Sequence, residues 1–178
     1  MQLTHKIALC LTPERAVYFT CACGAERCVW NWALAEWNKQ YAAGRKPDAM
    51  ALKKQFNAIK YTHPQWLDGS GQTWIKTIHR DAHAQPFADL AKAWDRFFAD
   101  IKAGKKAHAL QFKKKGRCHD SFYVANDKFR VSVKTICLPK SGEVAMTEAF
   151  SNGWQPQLPY PWRVRPVTAE LQQRGSLP

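Results

Sequence analysis

The stretch CACGAERCVWNWALAEWNKQY, from Cys21 to Tyr41, decides how this chain folds. Its apolar residues recur at the spacing of one helical face, and they are Trp30, Ala33, Leu34, Trp37 and Tyr41. A tryptophan buries roughly 150–250 Å², so this tryptophan-rich helix requires a bundle packed around it. Arg27 and Asn31, one turn apart, lie off the apolar face and are free to meet a polar partner.

Composition points to a polyanionic partner. The 178 residues suit one domain or two small ones, and 27 Lys and Arg against 14 Asp and Glu leave a formal charge of +13. Nucleic acid is the commonest partner of a basic domain of this kind. The alternative is a basic composition that only keeps the protein soluble, but the clustering of the charge described below favours a binding role.

The sequence predicts a cytoplasmic protein without membrane contact or cofactor. Residues 1–12 lack the apolar run and cleavage site of a signal peptide, and no segment approaches the ~18 apolar residues of a membrane span. The six cysteines are expected to be reduced thiols. Their spacing, Cys21-x-Cys23-x4-Cys28 with Cys118 and Cys137 far away, lacks the paired ligands of a zinc site.

Around the central stretch, the apolar pattern predicts one strand and several helices. Alternating apolar residues over Leu3–Leu11 predict a strand, and Thr12-Pro13 then predicts a helix start. We expect this first helix to end at Gly24 and the central helix to run from about Ala25 to Gly44. A third helix, capped by Asp48, is expected to end by residue 61.

Residues 72–104 carry a helical pattern that contains Pro86. A proline inside a helix removes one hydrogen bond, so one kinked helix and two separate helices both remain open. Lys76 and Arg80 are expected on the exposed side. His79 and His83 stand at the i, i+4 spacing of a metal pair, but without a third ligand an exposed surface pair is favoured.

After Gly104 the chain becomes a basic β-unit. Residues 105–140 hold ten Lys and Arg against two Asp, a net +8. Alternating apolar residues and turn dipeptides predict strands near 108–114, 120–125, 128–137 and 143–147. The fold class is therefore α+β: an N-terminal strand, an inserted helical bundle and a small antiparallel β-unit. An isolated strand has no other partner for its backbone groups, so we expect the first strand to pair with strands after residue 108.

The strongest candidate for function is the basic stretch around residue 113. Phe112 precedes Lys113–Lys115 and Arg117, and Phe122 follows; cations neutralise phosphates, whereas aromatic faces stack on bases. The alternative is a solvated lysine loop with Phe112 and Phe122 in the core. The full set of candidate nucleic-acid-binding residues is Arg27, Asn31, Lys76, Arg80, Lys105, Lys106, Lys113, Lys114, Lys115 and Arg117.

Catalysis is not predicted for this chain. A two-metal nuclease needs several carboxylates that converge on one site, and the few acids here show no such spacing. No glycine-rich phosphate loop or nucleophile elbow is present. We therefore expect neither enzymatic activity nor a small-molecule substrate.

Several motifs, taken in order, resemble the N-terminal region of TnpB (OrfB) proteins, which insertion sequences encode. Gly24–Leu34 follows the family's G-x-x-R-x-V-Y/W-N-x-x-L motif, and the resemblance covers about residues 3 to 149. The other matching segments are Thr12-Pro13-Glu14, Pro64-Gln65-Trp66-Leu67, Ala93-Trp94-x-x-Phe97-Phe98, Phe112–Lys115, Asp120-Ser121-Phe122 and Leu138-Pro139-Lys140-x-Gly142.

The resemblance implies a wedge-like β-barrel interrupted by a helical recognition domain, in proteins that bind a guide RNA and recognise a short DNA motif. The implied segments are a first wedge strand (1–12), a helical bundle with a helix-turn-helix or recognition role (13–104) and a basic partial wedge domain (105–150). Residues 151–178 carry five of the ten prolines and no periodic apolar pattern, so we expect them to form an irregular tail. The expected partner is transposon-derived RNA, DNA or both.

The chain also departs from the family pattern. The family's RuvC-like domain and zinc ribbon have no counterpart in this sequence, Leu110-Gln111 replaces a Pro-basic pair, and Pro86 falls in a helix that the family keeps continuous. We therefore expect a fragment truncated near Phe150. Its alternatives are a stand-alone helix-turn-helix regulator that binds duplex DNA and a remnant without function.

Overall fold

One long helix organises the computed structural model, which describes residues 7–148 and 162–164. This helix, α1, spans Pro13–Ala42, and Thr12 caps it by accepting a hydrogen bond from the Arg15 N–H at 3.4 Å. It follows strand β1, Leu9–Cys10. The predicted helix start at Thr12-Pro13 is confirmed.

The predicted helix boundary at Gly24 is wrong, because α1 passes through this residue without a break. A glycine inside a helix costs only about 0.5–1 kcal/mol, and burial on both sides outweighs this cost. Phe19 and Ala22 before it, and Val29 and Leu34 after it, are each fully buried. On the predicted apolar face, Trp30, Ala33, Leu34 and Trp37 are buried whereas Tyr41 is exposed.

The remaining helices pack on α1. Helix α2 spans Ala49–Ile59, and Asp48 caps it as predicted by accepting from the Ala51 N–H at 2.8 Å. Two short 3₁₀ turns, Pro64–Trp66 and Trp74–Thr77, precede helix α3, Arg80–Lys102. Of the alternatives left open at Pro86, two helices meeting there are excluded, because α3 is continuous through this buried proline. The helical pattern predicted from residue 72 is wrong in its first part, because α3 begins only at Arg80 and Trp74–Thr77 is a separate 3₁₀ turn.

The β-unit is an open antiparallel sheet and a separate two-stranded pair. Its strands are β2 (Phe122–Val124), β3 (Arg130–Val131), β4 (Thr135–Leu138), β5 (Gly142–Met146) and β6 (Trp162–Val164). The four-stranded sheet has the order β1-β5-β4-β3, and β2 pairs with β6. Leu9 lies opposite Met146, so the N-terminal strand joins the C-terminal unit across the helical insert, as predicted.

Three details of the predicted β-unit need correction. Residues 108–114 form no strand, because side chains of α1 bind their backbone in place of a neighbouring strand. The predicted strand 128–137 is a short hairpin of β3 and β4. Residues 162–164 of the expected irregular tail form β6, and the rest of that tail lies outside the described residues.

Two apolar cores lie along α1. The first, between its N-terminal half and the β-unit, includes Phe19, Phe122 and Val144. The second, among the three helices, includes Leu34 and Trp66. Since one helix contributes to both cores, its two halves and the β-unit are held together. Within the described ranges, no helix is long and apolar enough to cross a membrane.

Candidate nucleic-acid interface

An extended segment after α3 is fixed to the middle of α1 by hydrogen bonds to its backbone. The Asn31 side-chain amide donates to the Lys113 carbonyl oxygen at 2.9 Å, and its oxygen accepts from the Lys113 N–H at 2.7 Å. The Trp30 indole N–H donates to the Gln111 carbonyl oxygen at 3.2 Å. These bonds set the position of the basic residues that follow.

Lys113 is directed inward rather than toward solvent. Its ammonium lies 3.5 Å from Oε1 of Glu26, a side chain with only 2% of its surface exposed. The same ammonium stands 4.6 Å from the ring centroid of Trp30. A buried carboxylate requires such a partner, so Lys113 neutralises Glu26, and its predicted contact with nucleic acid stays a prediction.

Arg27 makes a second link between α1 and this region. Its guanidinium forms an ion pair with the carboxylate of Asp120, and the Cys118 thiol lies 3.7 Å from the same carboxylate. Burial raises the pKa of the neighbouring Cys23 thiol to about 12, and the charge of Asp120 adds to this effect. Both Arg27 and Asn31 thus use polar groups in internal bonds, and base contact through them stays a prediction.

The side chains beyond this anchor are exposed on a tight turn. The Lys114 carbonyl oxygen accepts from the N–H groups of Arg117 and Cys118, each at 3.1 Å, and Gly116 takes a φ of 77° that favours glycine. We call residues 114–117 the basic turn; its cations Lys114, Lys115 and Arg117 are all exposed. Fixed backbone and free cations together suit phosphate binding.

Around the basic turn, the predicted aromatic residues separate into two groups. Phe112 is 51% exposed beside the lysines, which keeps it available for stacking, whereas Phe122 is buried in the core. Lys105 and Lys106 are exposed at the end of α3, at the start of the segment that leads to the basic turn. Phe112 thus has the exposure that stacking on a base requires, whereas Phe122 lies in the core, as the alternative interpretation stated.

Lys76 and Arg80 lie outside the basic turn, in the second 3₁₀ turn and at the start of α3. The ammonium groups of Lys76 and Lys60 stand 5.4 Å and 5.0 Å from the ring centroid of Tyr61. Arg80 begins α3 and is exposed. Their roles in binding stay predictions.

The expected exposed histidine pair is wrong. His79 caps α3 through its Nδ1, which accepts from the Asp81 N–H at 3.4 Å, and His83 is buried. Burial, with the charge of Lys60, lowers the pKa of His83 to about 4. In the part of the chain that the structure describes, no group of three or more His, Cys, Asp or Glu is placed to hold a metal ion.

Sequence reasoning missed that the fold brings Lys128 and Lys140 near His79 and the predicted candidate Arg80. Burial lowers the pKa of His79; Asp81 opposes this effect, and the charges of Arg80, Lys128 and Lys140 add to it. Arg15 joins this region through a hydrogen bond from its Nε to the Ser141 carbonyl oxygen at 3.2 Å. No periodicity links these positions, because the pairing of β1 with β5 and the packing of α3 place them together.

Comparison with known proteins agrees with the motifs of the sequence. Residues 1–46 match the family model HTH_OrfB_IS605, described as a helix-turn-helix domain. Two proteins of Mycobacterium tuberculosis, from strains CDC 1551 / Oshkosh and ATCC 25618 / H37Rv, are each 27% identical to this chain over 140 residues. Each is named "Putative RNA-guided DNA endonuclease".

The matched region covers 70% of this chain and 30% of each relative. The chain thus matches a minor part of the length of these relatives. The motifs, the family model and the two relatives all indicate that this chain is similar to the N-terminal region of OrfB/TnpB-type proteins.

Proposed function

We propose that this chain binds nucleic acid as a non-cleaving N-terminal region of an OrfB/TnpB-type RNA-guided nuclease. The observation that carries the proposal is the basic turn, which α1 holds in place through Trp30 and Asn31 while its three cations face solvent. Because the backbone of the basic turn is already held, it loses little conformational freedom on binding, which favours affinity. The proposed partner is transposon-derived RNA, DNA or both.

The carboxylates in the described residues support binding without cleavage. Glu26 pairs with Lys113, Asp120 pairs with Arg27, and Asp48 caps α2. Asp81 accepts from the Ala125 N–H at 3.0 Å. Each of these four acids thus has its own structural partner, whereas metal-dependent phosphodiester cleavage needs acids that share one site.

The geometry of α1 favours this proposal over the helix-turn-helix regulator. A helix-turn-helix motif joins two helices by a turn of 3–4 residues and places the second in the major groove. Residues 9–42, within the matched region, form β1 and the single continuous helix α1, and residues on α1 enter both apolar cores. Residues 9–42 thus contain no turn between two helices of the kind that this motif requires.

We also propose a cytoplasmic location, where nucleic acid is available and the six free thiols stay reduced.

Binding and cleavage are tested with the same purified chain. We expect nanomolar to micromolar binding to single-stranded RNA or duplex DNA by fluorescence anisotropy, strongly weakened by salt. With Mg²⁺ or Mn²⁺, labelled strands should remain intact on a denaturing gel. The absence of binding to both nucleic acids, or cleavage lost on replacing an acid of this chain, would contradict the proposal.

A further inference from the structure

A second basic site lies at the N-terminal end of α1, away from the basic turn. A cavity of about 370 Å³ opens there between the first turn of α1 and the β4–β5 turn. Its lining residues are Thr12, Glu14, Arg15, Tyr18, Lys140 and Ser141. Two cations thus face one carboxylate in a concave site.

Arg15 is held in position by the β4–β5 turn. Its Nε donates to the Ser141 carbonyl oxygen at 3.2 Å, which fixes the plane of the guanidinium. Among the described residues, no group accepts a hydrogen bond from its two terminal nitrogens. A guanidinium with two free donors in a fixed plane matches the oxygens of a phosphate.

The β4–β5 turn supplies the second cation and an unused hydroxyl. Lys140 is exposed and adopts a φ of 65°, the left-handed conformation that places its side chain at the turn. Ser141 Oγ is shielded from water, and no group of the described residues hydrogen-bonds to it. A buried hydroxyl without a partner is costly, and Ser141 belongs to the lining of the cavity.

The wall of the cavity is joined to His79. The backbone N–H of His79 donates to Tyr18 Oη at 3.2 Å, and the charges of Arg80, Lys128 and Lys140 act on the His79 side chain, opposed by Asp81. The acids nearby already have partners: the carboxylate of Asp81 binds the Ala125 N–H, and Asp127 pairs with Lys128. Glu14 is exposed at the helix start, and its pKa is lowered by its own backbone N–H, by Thr12 and by the charge of Arg15.

We propose that this cavity binds one backbone phosphate of nucleic acid, held by Arg15 and Lys140. The inference rests on the proposed function and adds a second point of contact to it. Arg15 and Asn31 are separated by 16 positions on α1, about 24 Å at ~1.5 Å per residue. A B-form duplex that reaches both sites must extend over about 7 base pairs at ~3.4 Å each.

The test uses a charge-removing pair of substitutions that preserves the backbone. Arg15→Gln retains a hydrogen-bond donor for Ser141, and Lys140→Asn retains a residue that tolerates the left-handed conformation. The control pair, Lys54→Gln with Lys92→Gln, removes the same charge from exposed positions on α2 and α3. Affinity is measured against salt concentration on a duplex DNA and a single-stranded RNA of about 20 units, long enough to span both sites.

We expect the cavity variant to lose one phosphate contact. The slope of log affinity against log salt concentration should therefore fall by about 0.9 on duplex DNA, or by about 0.7 on single-stranded RNA. The control pair should change it much less. Glu14→Gln should tighten binding about fivefold, because it removes a like charge beside the phosphate. A tighter complex would not arise from a merely structural role of these residues.

Two failures can be told apart. In the first, the wild-type chain binds and replacement of Lys114, Lys115 and Arg117 lowers the salt slope, but the cavity variant and the control pair have the same slope. This result would refute the second site and leave the proposed function intact. If the wild-type chain binds neither nucleic acid, the proposed function fails and this inference fails with it.

Discussion

Asn31 and Lys113, which are 82 residues apart in the chain, are joined by two hydrogen bonds between one side-chain amide and one backbone unit, at 2.9 Å and 2.7 Å. The amide thus provides the donor and the acceptor that a neighbouring β-strand would otherwise supply. This pairing explains why residues 108–114 stay extended without joining a sheet. It also fixes the basic turn to the most buried helix of the molecule.

Asn31→Ala should destabilise the fold and loosen the basic turn. It leaves the Lys113 N–H and carbonyl unpaired in a partly buried place, at a cost of about 1–3 kcal/mol. Urea unfolding followed by circular dichroism measures the change. Asn38→Ala, at an exposed position on the same helix, is the control and should lower the free energy of unfolding much less. Equal decreases in the two variants would show that the bonds between Asn31 and Lys113 add no stability of their own.

The ion pair of Arg27 with Asp120 should be structural. Both side chains are partly shielded, with 16% and 28% exposed, so we expect a coupling energy of about 1 kcal/mol in a double-mutant cycle of Arg27→Gln and Asp120→Asn. The salt slope of nucleic-acid binding should not change in Arg27→Gln. Additive stability changes together with a reduced slope would instead make Arg27 a phosphate ligand.

The continuity of α1 predicts opposite effects at two glycines. A Cβ at Gly24 would meet Arg27 Nη2 at 3.8 Å, an ordinary contact, so Gly24→Ala should stabilise the chain by about 1 kcal/mol. Gly44, which follows the helix end, has a φ of 71°, so Gly44→Ala should destabilise it by about 1 kcal/mol. Thermal unfolding measures both, and loss of stability in Gly24→Ala would mean that the helix breaks there.

His83 should make stability depend on pH. In the folded chain its pKa is lowered from 6.5 to about 4. Between pH 6.5 and about 4, His83 therefore binds a proton in the unfolded chain but not in the folded chain. Stability is therefore full above pH 6.5 and falls as the pH falls toward 4, by up to ~3 kcal/mol. His83→Gln should flatten this part of the profile, whereas His108→Gln, at an exposed position, should not.

The sequence predicted those features of the fold that follow from neighbouring residues or from the backbone's need for hydrogen-bond partners. Thr12 and Asp48 were recognised as caps, and the pairing of the first strand with the last unit followed from its need for a partner. Gly24 was overestimated as a break and the effect of Pro86 was left open, because burial on both sides of each residue, visible only in the tertiary structure, outweighs the local cost.

The sequence predicted that basic residues cluster at the candidate site, but it did not predict which of their side chains face solvent and which face the protein interior. Sequence spacing placed Lys113 with its neighbours, yet packing against Glu26 and Trp30 turns it inward. Arg15 and Lys140 are 125 positions apart, and only the sheet brings their segments together. Long-range juxtapositions of this kind leave no periodic trace in a single sequence.

The central claim is that α1 presents the basic turn to nucleic acid, and the salt dependence of binding tests it most directly. Lys114, Lys115 and Arg117 are replaced together by Ala, and the control replaces the exposed Lys46, Lys54 and Lys92. We predict that the log–log slope falls by about 2 on single-stranded RNA or about 3 on duplex DNA for three lost contacts, with little change in the control. An unchanged slope on both nucleic acids, or an equal fall in the control, would contradict the account.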